Sequence, residues 1–118
     1  MVDYRHGEFV ARRVIVESPW RGDVARNRRY AIAAIKDCLR RYEAPFASHV
    51  LYTEALDDSV PLQRELGMEC GEFWGSVAHM VAVYIDLGIS EGMQRGIDLA
   101  RRRNQTIEFR TIPGWHDE

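Results

Sequence analysis

Short apolar runs alternate along this chain with longer stretches in which apolar residues recur at helical spacing. The first run, Arg13–Glu17, is rich in β-branched residues and predicts a buried strand that ends at a Ser-Pro-Trp-Arg-Gly loop. A helix is predicted from about residue 24 to 42, with Asp23 as a suitable N-cap. Its apolar stripe consists of Ile32, Ile35, Leu39 and Tyr42.

The rest of the chain repeats this order of strand and helix. Further strands are predicted at residues 45–52, 80–85 and 106–112. Between them we predict a helix that begins near Pro61 and a helix over residues 90–103 that Ser90 caps. This alternation favours an α/β fold in which a parallel sheet carries helices on both faces. We therefore expect a single domain, residues 1–118, with its core at about 13–112.

The helix that begins near Pro61 has two different faces. Its apolar residues recur at helical spacing: Leu62, Leu66, Cys70, Phe73 and Val77. Three carboxylates share another face, and they repel one another: Glu65, Glu69 and Glu72. The pattern is that of an amphipathic helix.

Composition limits the class of partner. The 118 residues carry 16 Lys and Arg against 18 Asp and Glu, a net charge of −2, which disfavours binding to extended nucleic acid or to an anionic membrane. The longest apolar run falls short of the roughly 20 residues that a membrane span needs. Cys38 and Cys70 lie in predicted helices, so we expect reduced thiols in a cytoplasmic protein. The histidines have no metal-ligand spacing, so we expect no metal site.

Two loops carry residues suited to a ligand, because open parallel sheets bind ligands beyond the carboxyl ends of their strands. The first loop combines a hydroxyl, a ring that can stack on a base, a guanidinium and a glycine: Ser18, Trp20, Arg21 and Gly22. Together with the start of the following helix, these groups suit a phosphate. An ordinary surface turn accounts for the same residues equally well.

The second loop places Asp86 at a strand end and Ser90 and Gly92 at a helix start, where free amides can hold another anionic group. An ordinary capped helix also explains Ser90. The stretch matches Gly-x-Ser-x-Gly at Gly88, Ser90 and Gly92, the turn of a serine hydrolase. That enzyme class is disfavoured because His116 is the only histidine downstream.

Taken together, these loops resemble the nucleoside 2-deoxyribosyltransferase superfamily, which includes nucleoside 5′-monophosphate N-glycosidases and small phage and bacterial relatives. The resemblance covers about residues 13–112 and rests on residues 17–22, Asn27 and residues 86–93. It implies a flavodoxin-like three-layer fold with a small, mainly parallel sheet of four or five strands. It also implies cleavage or exchange of a base–(deoxy)ribose bond, no cofactor, and a homodimer or higher homo-oligomer.

The resemblance also implies roles for individual residues. The residues expected around the nucleotide are Ser18, Trp20, Arg21, Gly22, Asn27, Ser90, Gly92, Met93 and Gln94. Asp86 would orient the sugar or the base. Departure of the base requires a carboxylate that stabilises or traps an oxocarbenium ion, and an acid that protonates the base.

Gln94 stands where the family has its nucleophilic glutamate, in a pattern such as Gly-Met-Glu-Leu-Gly. Glu91 and Asp86 are the candidates to replace that carboxylate, and Glu69 or Glu72 is a candidate proton donor if mutual repulsion raises a pKa. Each acid also has an ordinary explanation, as a first-turn acid or as part of a solvated face.

The leading hypothesis is a nucleotide-processing protein that hydrolyses or transfers the N-glycosidic bond of a (deoxy)nucleoside monophosphate or a related ribosyl compound. The alternative is a nucleotide-binding or nucleotide-sequestering protein without catalysis, which Gln94 favours. A third hypothesis is an oligomeric interaction module that uses Trp20, Trp74 and Trp115. No role is predicted for residues 1–12 or 113–118.

Overall fold

A computed structural model of the protein describes residues 12–116. In this range four parallel strands form one sheet in the order β2-β1-β3-β4. The elements in chain order are β1 (Arg13–Glu17), α1 (Val24–Arg40), β2 (Ala44–Phe46), α2 (Ser48–Ala55), α3 (Pro61–Gly75), β3 (Met80–Tyr84), α4 (Glu91–Arg102) and β4 (Thr106–Arg110). The predicted α/β class and the flavodoxin-like three-layer arrangement are confirmed.

The sheet separates two apolar cores. Val14 and Val16 of β1 pack towards α1, whereas Ile15 between them packs towards α4. The central strand β3 contributes to both cores and is buried along its whole length, which explains its unbroken apolar sequence. The candidate site lies on the face of the sheet that α4 covers.

Helix α1 begins as predicted, because the Asp23 carboxylate accepts a hydrogen bond from the amide of Arg26 at 3.1 Å. It ends two residues earlier than predicted, before Tyr42, which has a left-handed φ of 59°. Its buried residues are Asn27, Tyr30, Ala31, Ala34, Asp37 and Cys38. The predicted stripe is only half-buried, because the small alanines bring a neighbouring face against the sheet.

The predicted strand over residues 45–52 is wrong beyond Phe46. The chain turns there into α2, whose first turn is closed by the amides of Val50 and Leu51, which donate to the carbonyl of Ala47. Tyr52 lies edge-on to the Phe46 ring at 6.3 Å. A strand-like composition is therefore overridden by packing between the aromatic residues of β2 and α2.

Helix α3 approaches α2 most closely at its glycines. A Cβ at Gly71 would overlap the Ser48 hydroxyl of α2, so the two helices approach closely only because this position is glycine. Leu62 is 84% exposed and Phe73 is 79% exposed. Four of the five residues of the predicted apolar face, all but Cys70, are therefore exposed on the surface of the described chain.

Both cysteines are free thiols, as predicted, with Cys38 buried and Cys70 half-buried. No helix within residues 12–116 is long and apolar enough to cross a bilayer.

Candidate functional site

A cavity of about 570 Å³ runs over β1 between α3 and α4 and reaches the carboxyl end of β1 and the start of α4. Its volume lies in the range of small-molecule sites. Residues of both predicted loops line it: Ser18, Trp20, Arg21 and Gly22 from the first, and Ser90, Glu91, Gly92 and Met93 from the second. The fold thus brings the two loops to one cavity.

Four predicted site residues lie outside this lining. Asn27 is buried beneath the first loop, where its amide donates to the carbonyl oxygens of Trp20 and Arg21 at 2.8 and 3.1 Å. It therefore holds the loop in shape. Glu69 is exposed on α3, and the Gln94 amide donates to the carboxylate of Asp98 at 2.9 Å on the surface of α4.

Asp86, the fourth, faces the opposite side of the sheet. One of its carboxylate oxygens accepts hydrogen bonds from the Tyr30 hydroxyl at 2.6 Å and from the amide of Ile112 at 2.9 Å. These bonds join α1 to the segment that follows β4. Asp86 therefore has a structural role on that side of the sheet and does not line the cavity.

Glu72 of α3 does line the cavity, and it is held by an arginine of α4. The Arg95 Nε donates to the Glu72 carboxylate at 2.6 Å, and its Nη2 donates to Glu65 at 3.1 Å. Hydrogen bonds to these two carboxylates raise the pKa of Arg95. Arg95 therefore joins α3 to α4, and its positive charge is balanced by two carboxylates of α3.

Ser90 caps α4 as predicted, since its hydroxyl accepts a hydrogen bond from the amide of Met93 at 3.3 Å. Glu91 is the first residue of the helix and is exposed at the cavity mouth. A negative charge at that position is favoured by the helix dipole.

Glu17, the last residue of β1, is the acid that sequence reasoning missed. Its carboxyl group packs against α4, where a Cβ at Gly96 would lie 2.6 Å from Cδ of Glu17. The carboxyl makes no hydrogen bond to any residue in the 12–116 range. Burial, with a smaller contribution from the charge of Glu72, raises the pKa of Glu17 to about 8. An acid at the carboxyl end of a buried strand was the signal available in the sequence.

A second missed group is His49, in the first turn of α2. Its Nε2 shares a 2.7 Å hydrogen bond with the hydroxyl of Ser18, and both residues line the cavity. Burial lowers the pKa of His49 to about 4, so the imidazole is neutral at pH 7. The Trp20 ring meets it edge-on at 5.8 Å. The first loop is therefore fixed to α2 by neutral contacts.

The cavity thus combines a neutral carboxyl group, an ion-paired carboxylate and a helix N-terminus. Arg21 adds an exposed guanidinium that has no partner among the residues described. No set of three or more His, Cys, Asp or Glu side chains in that part of the chain is arranged to hold a metal ion. Acid and anion side by side suit reactions in which a leaving group needs a proton while positive charge develops beside it.

Comparison with known proteins adds a family but no activity. A family model described as a domain of unknown function (DUF7768) matches residues 12–110. No curated protein and no solved structure matches the chain. The likeness to nucleoside 2-deoxyribosyltransferases therefore stays a prediction.

Proposed function

The chain belongs to the DUF7768 family, and we propose that it binds a nucleoside monophosphate or a related ribosyl compound and hydrolyses or transfers the N-glycosidic bond. The observation that carries this proposal is that two loops with anion-binding features and four carboxyl groups line one cavity. The carboxyl groups are those of Glu17, Asp58, Glu72 and Glu91.

The phosphate is proposed to lie between the first loop and the start of α4. Gly22 has a left-handed φ of 99° and no atom within 4 Å of its missing Cβ, so the backbone there is open to a ligand. The amides in the first turn of α4 and the guanidinium of Arg21 offer donors and positive charge. Trp20 supplies an aromatic surface for the base or sugar.

The first experiment measures release of free base by chromatography. The purified protein is incubated with a panel of purine and pyrimidine nucleoside monophosphates and with nicotinamide nucleotides. Arg21→Ala is expected to weaken binding about tenfold, since it removes one charge-assisted contact. Lys36→Ala, on the exposed surface of α1, is the matched loss of a cation outside the cavity and is expected to leave binding unchanged. Absence of both base release and thermal stabilisation by every compound would refute the proposal.

A second candidate function is nucleotide binding without cleavage. It is favoured by Gln94, a neutral residue that lies outside the cavity and bonds to Asp98. Thermal stabilisation by a nucleoside monophosphate without any base release would support it over the enzyme.

We extend the proposal to a homodimer or higher homo-oligomer that acts in the cytoplasm, where both thiols remain reduced. The exposed side chains of Leu62 and Phe73 on α3 supply an apolar surface for a second copy. Light scattering coupled to size exclusion measures the mass directly. A monomer at every concentration tested would remove this part of the proposal.

A further inference from the structure

The carboxyl group of Glu17 lies in space that is available only because residue 96 of α4 is glycine. Any side chain at Gly96 would overlap its Oε2 atom, so the approach of β1 to α4 at this point depends on the absence of a Cβ. The group lines the cavity and makes no hydrogen bond within residues 12–116. Packing that holds a polar group without a protein partner leaves its hydrogen-bonding capacity for a ligand.

The charged and titratable groups around Glu17 leave it without a counterion. Helix α2 presents the neutral imidazole of His49, and α3 presents the carboxylate of Glu72. Arg64 of α3 also lines the cavity and is paired with Asp58 at 3.9 Å. Helix α4 presents Glu91 and Arg95, and the Nε of Arg95 is bound to Glu72. Arg21 lies in the exposed first loop, and Arg103 of the α4 C-cap donates to the carbonyl of Glu72 at 2.9 Å. Burial and the charge of Glu72 together raise the pKa of Glu17 to about 8, which keeps it protonated at pH 7.

We propose that Glu17 is the catalytic acid of the candidate site and gives its proton to the departing base of a nucleoside monophosphate. This inference rests on the proposed function. The resemblance leads one to expect the working carboxyl group on α4, where Gln94 is neutral and points away. The carboxyl group beside α4 comes instead from the end of β1, in the space that Gly96 leaves.

The step balances with water as the second reactant. The bond between the anomeric carbon and the base nitrogen breaks, its electron pair stays with the base, and the proton of Glu17 joins that nitrogen. Water forms the new bond to the anomeric carbon, and the proton it loses passes to the carboxylate of Glu72. Solvent then returns Glu17 to its acid form and Glu72 to its carboxylate, and the products are free base and ribose 5-phosphate.

The decisive variant is Glu17→Gln, which keeps size and polarity but has no acidic proton. It is expected to bind nucleoside monophosphates with a dissociation constant within about threefold of wild type, because the phosphate contacts remain. Base release is expected to fall about 10²- to 10⁴-fold, the usual contribution of a general acid. Glu54→Gln makes the same substitution on α2 outside the cavity lining and is expected to retain wild-type activity.

Two readouts separate a proton donor from a residue that only supports the fold. Wild-type kcat is expected to fall about tenfold per pH unit above pH 8, and Glu17→Gln is expected to lose that alkaline limb. A nucleotide with a pyridinium base, nicotinamide mononucleotide, releases a neutral base that needs no proton. If wild type cleaves it, the variant should cleave it at a similar rate.

The outcomes distinguish this inference from the function beneath it. A wild-type protein that releases no base from any compound overturns the proposed function and this assignment with it. An active wild type whose Glu17→Gln variant remains within threefold of it overturns the assignment alone. Equal losses on purine and pyridinium nucleotides, or an unchanged alkaline limb in the variant, also overturn it.

Discussion

Polar side chains on the two faces of the sheet differ in whether they have a hydrogen-bond partner. On the α1 face, Arg110 donates two hydrogen bonds of 2.7 Å to the carboxylate of Glu43, and the Tyr84 hydroxyl donates to Asp37 at 2.7 Å. On the α4 face, the carboxyl of Glu17 has no such partner and lies at the edge of a cavity. We call the α1 face closed, because its buried polar groups are paired. We call the α4 face open, because Glu17 there lines a cavity and has no partner among the described residues.

This difference indicates which polar residues serve the fold and which are available for chemistry. An ion pair with complete hydrogen bonding has no capacity left for a ligand, and its carboxylate is held in the charged form. Accordingly, hydrogen bonds and the charge of Arg110 outweigh burial and lower the pKa of Glu43, whereas burial raises that of Glu17. The two glutamates thus differ in protonation because only Glu43 has a cation beside it.

Breaking the closed face should have the largest effect on stability. Arg110→Met is expected to cost about 3–5 kcal/mol of unfolding free energy, because it leaves the buried Glu43 carboxylate with only the exposed Arg12 as a cationic partner. Urea denaturation followed by circular dichroism measures this. The double variant Arg110→Met/Glu43→Leu should recover most of the loss, since it removes the buried charge as well. A loss below about 1 kcal/mol in the single variant would contradict the comparison.

Glu17 and His49, which line the cavity on the open face, should make stability depend on pH. The folded pKa of Glu17, about 8, lies above its unfolded value of 4.5, so its contribution is complete below pH 4.5 and is lost as pH rises to 8. The folded pKa of His49, about 4, lies below 6.5, so its contribution is lost as pH falls from 6.5 to 4. The two slopes oppose each other between pH 4.5 and 6.5.

Stability should therefore be nearly flat between pH 4.5 and 6.5 and should fall by about 2 kcal/mol between pH 6.5 and 8. In Glu17→Gln the fall should disappear, and only the rise from His49 between pH 4 and 6.5 should remain. Urea midpoints across this range measure both curves. A fall above pH 6.5 that survives in the variant would assign it to another group.

Close packing at Gly96 offers a smaller and more local test. Gly96→Ala is expected to cost about 1–2 kcal/mol, because overlap with Glu17 exceeds the gain from replacing a helical glycine. Gly92→Ala is the matched stability control on the same helix, since its Cβ would meet only the Ser90 hydroxyl at 4.0 Å. In a Glu17→Ala background, Gly96→Ala should cost nothing further. An equal cost in both backgrounds would mean that Glu17 is not the group displaced.

Local signals in the sequence predicted much of this architecture. Strand β1 was predicted to the residue, and the Ser90 cap set the start of α4, because both depend on adjacent residues. The two loops were expected to share a site because parallel strands present their carboxyl ends at one edge. The environment of Glu17 was not predictable from adjacent residues, because it is made by Glu72 of α3 and Gly96 of α4, both distant in sequence.

The face of α3 was the clearest failure of periodicity. Helical spacing selected Leu62 and Phe73 as one face but contained no information on which face meets α2. Gly71 determines which face of α3 meets α2, since a close helix contact requires a residue without a side chain.

The exposed α3 face provides the test with the smallest expected effect on the monomer. Phe73→Ser is expected to change the unfolding free energy of a monomer by less than about 0.5 kcal/mol, because the side chain is 79% exposed and loses little packing. If a second copy covers this face, the same substitution should instead lower the oligomer mass measured by light scattering. Thr106→Ser, an exposed position at the start of β4, is the control and should change neither quantity. A monomer strongly destabilised by Phe73→Ser would show that α3 packs its apolar face inward after all.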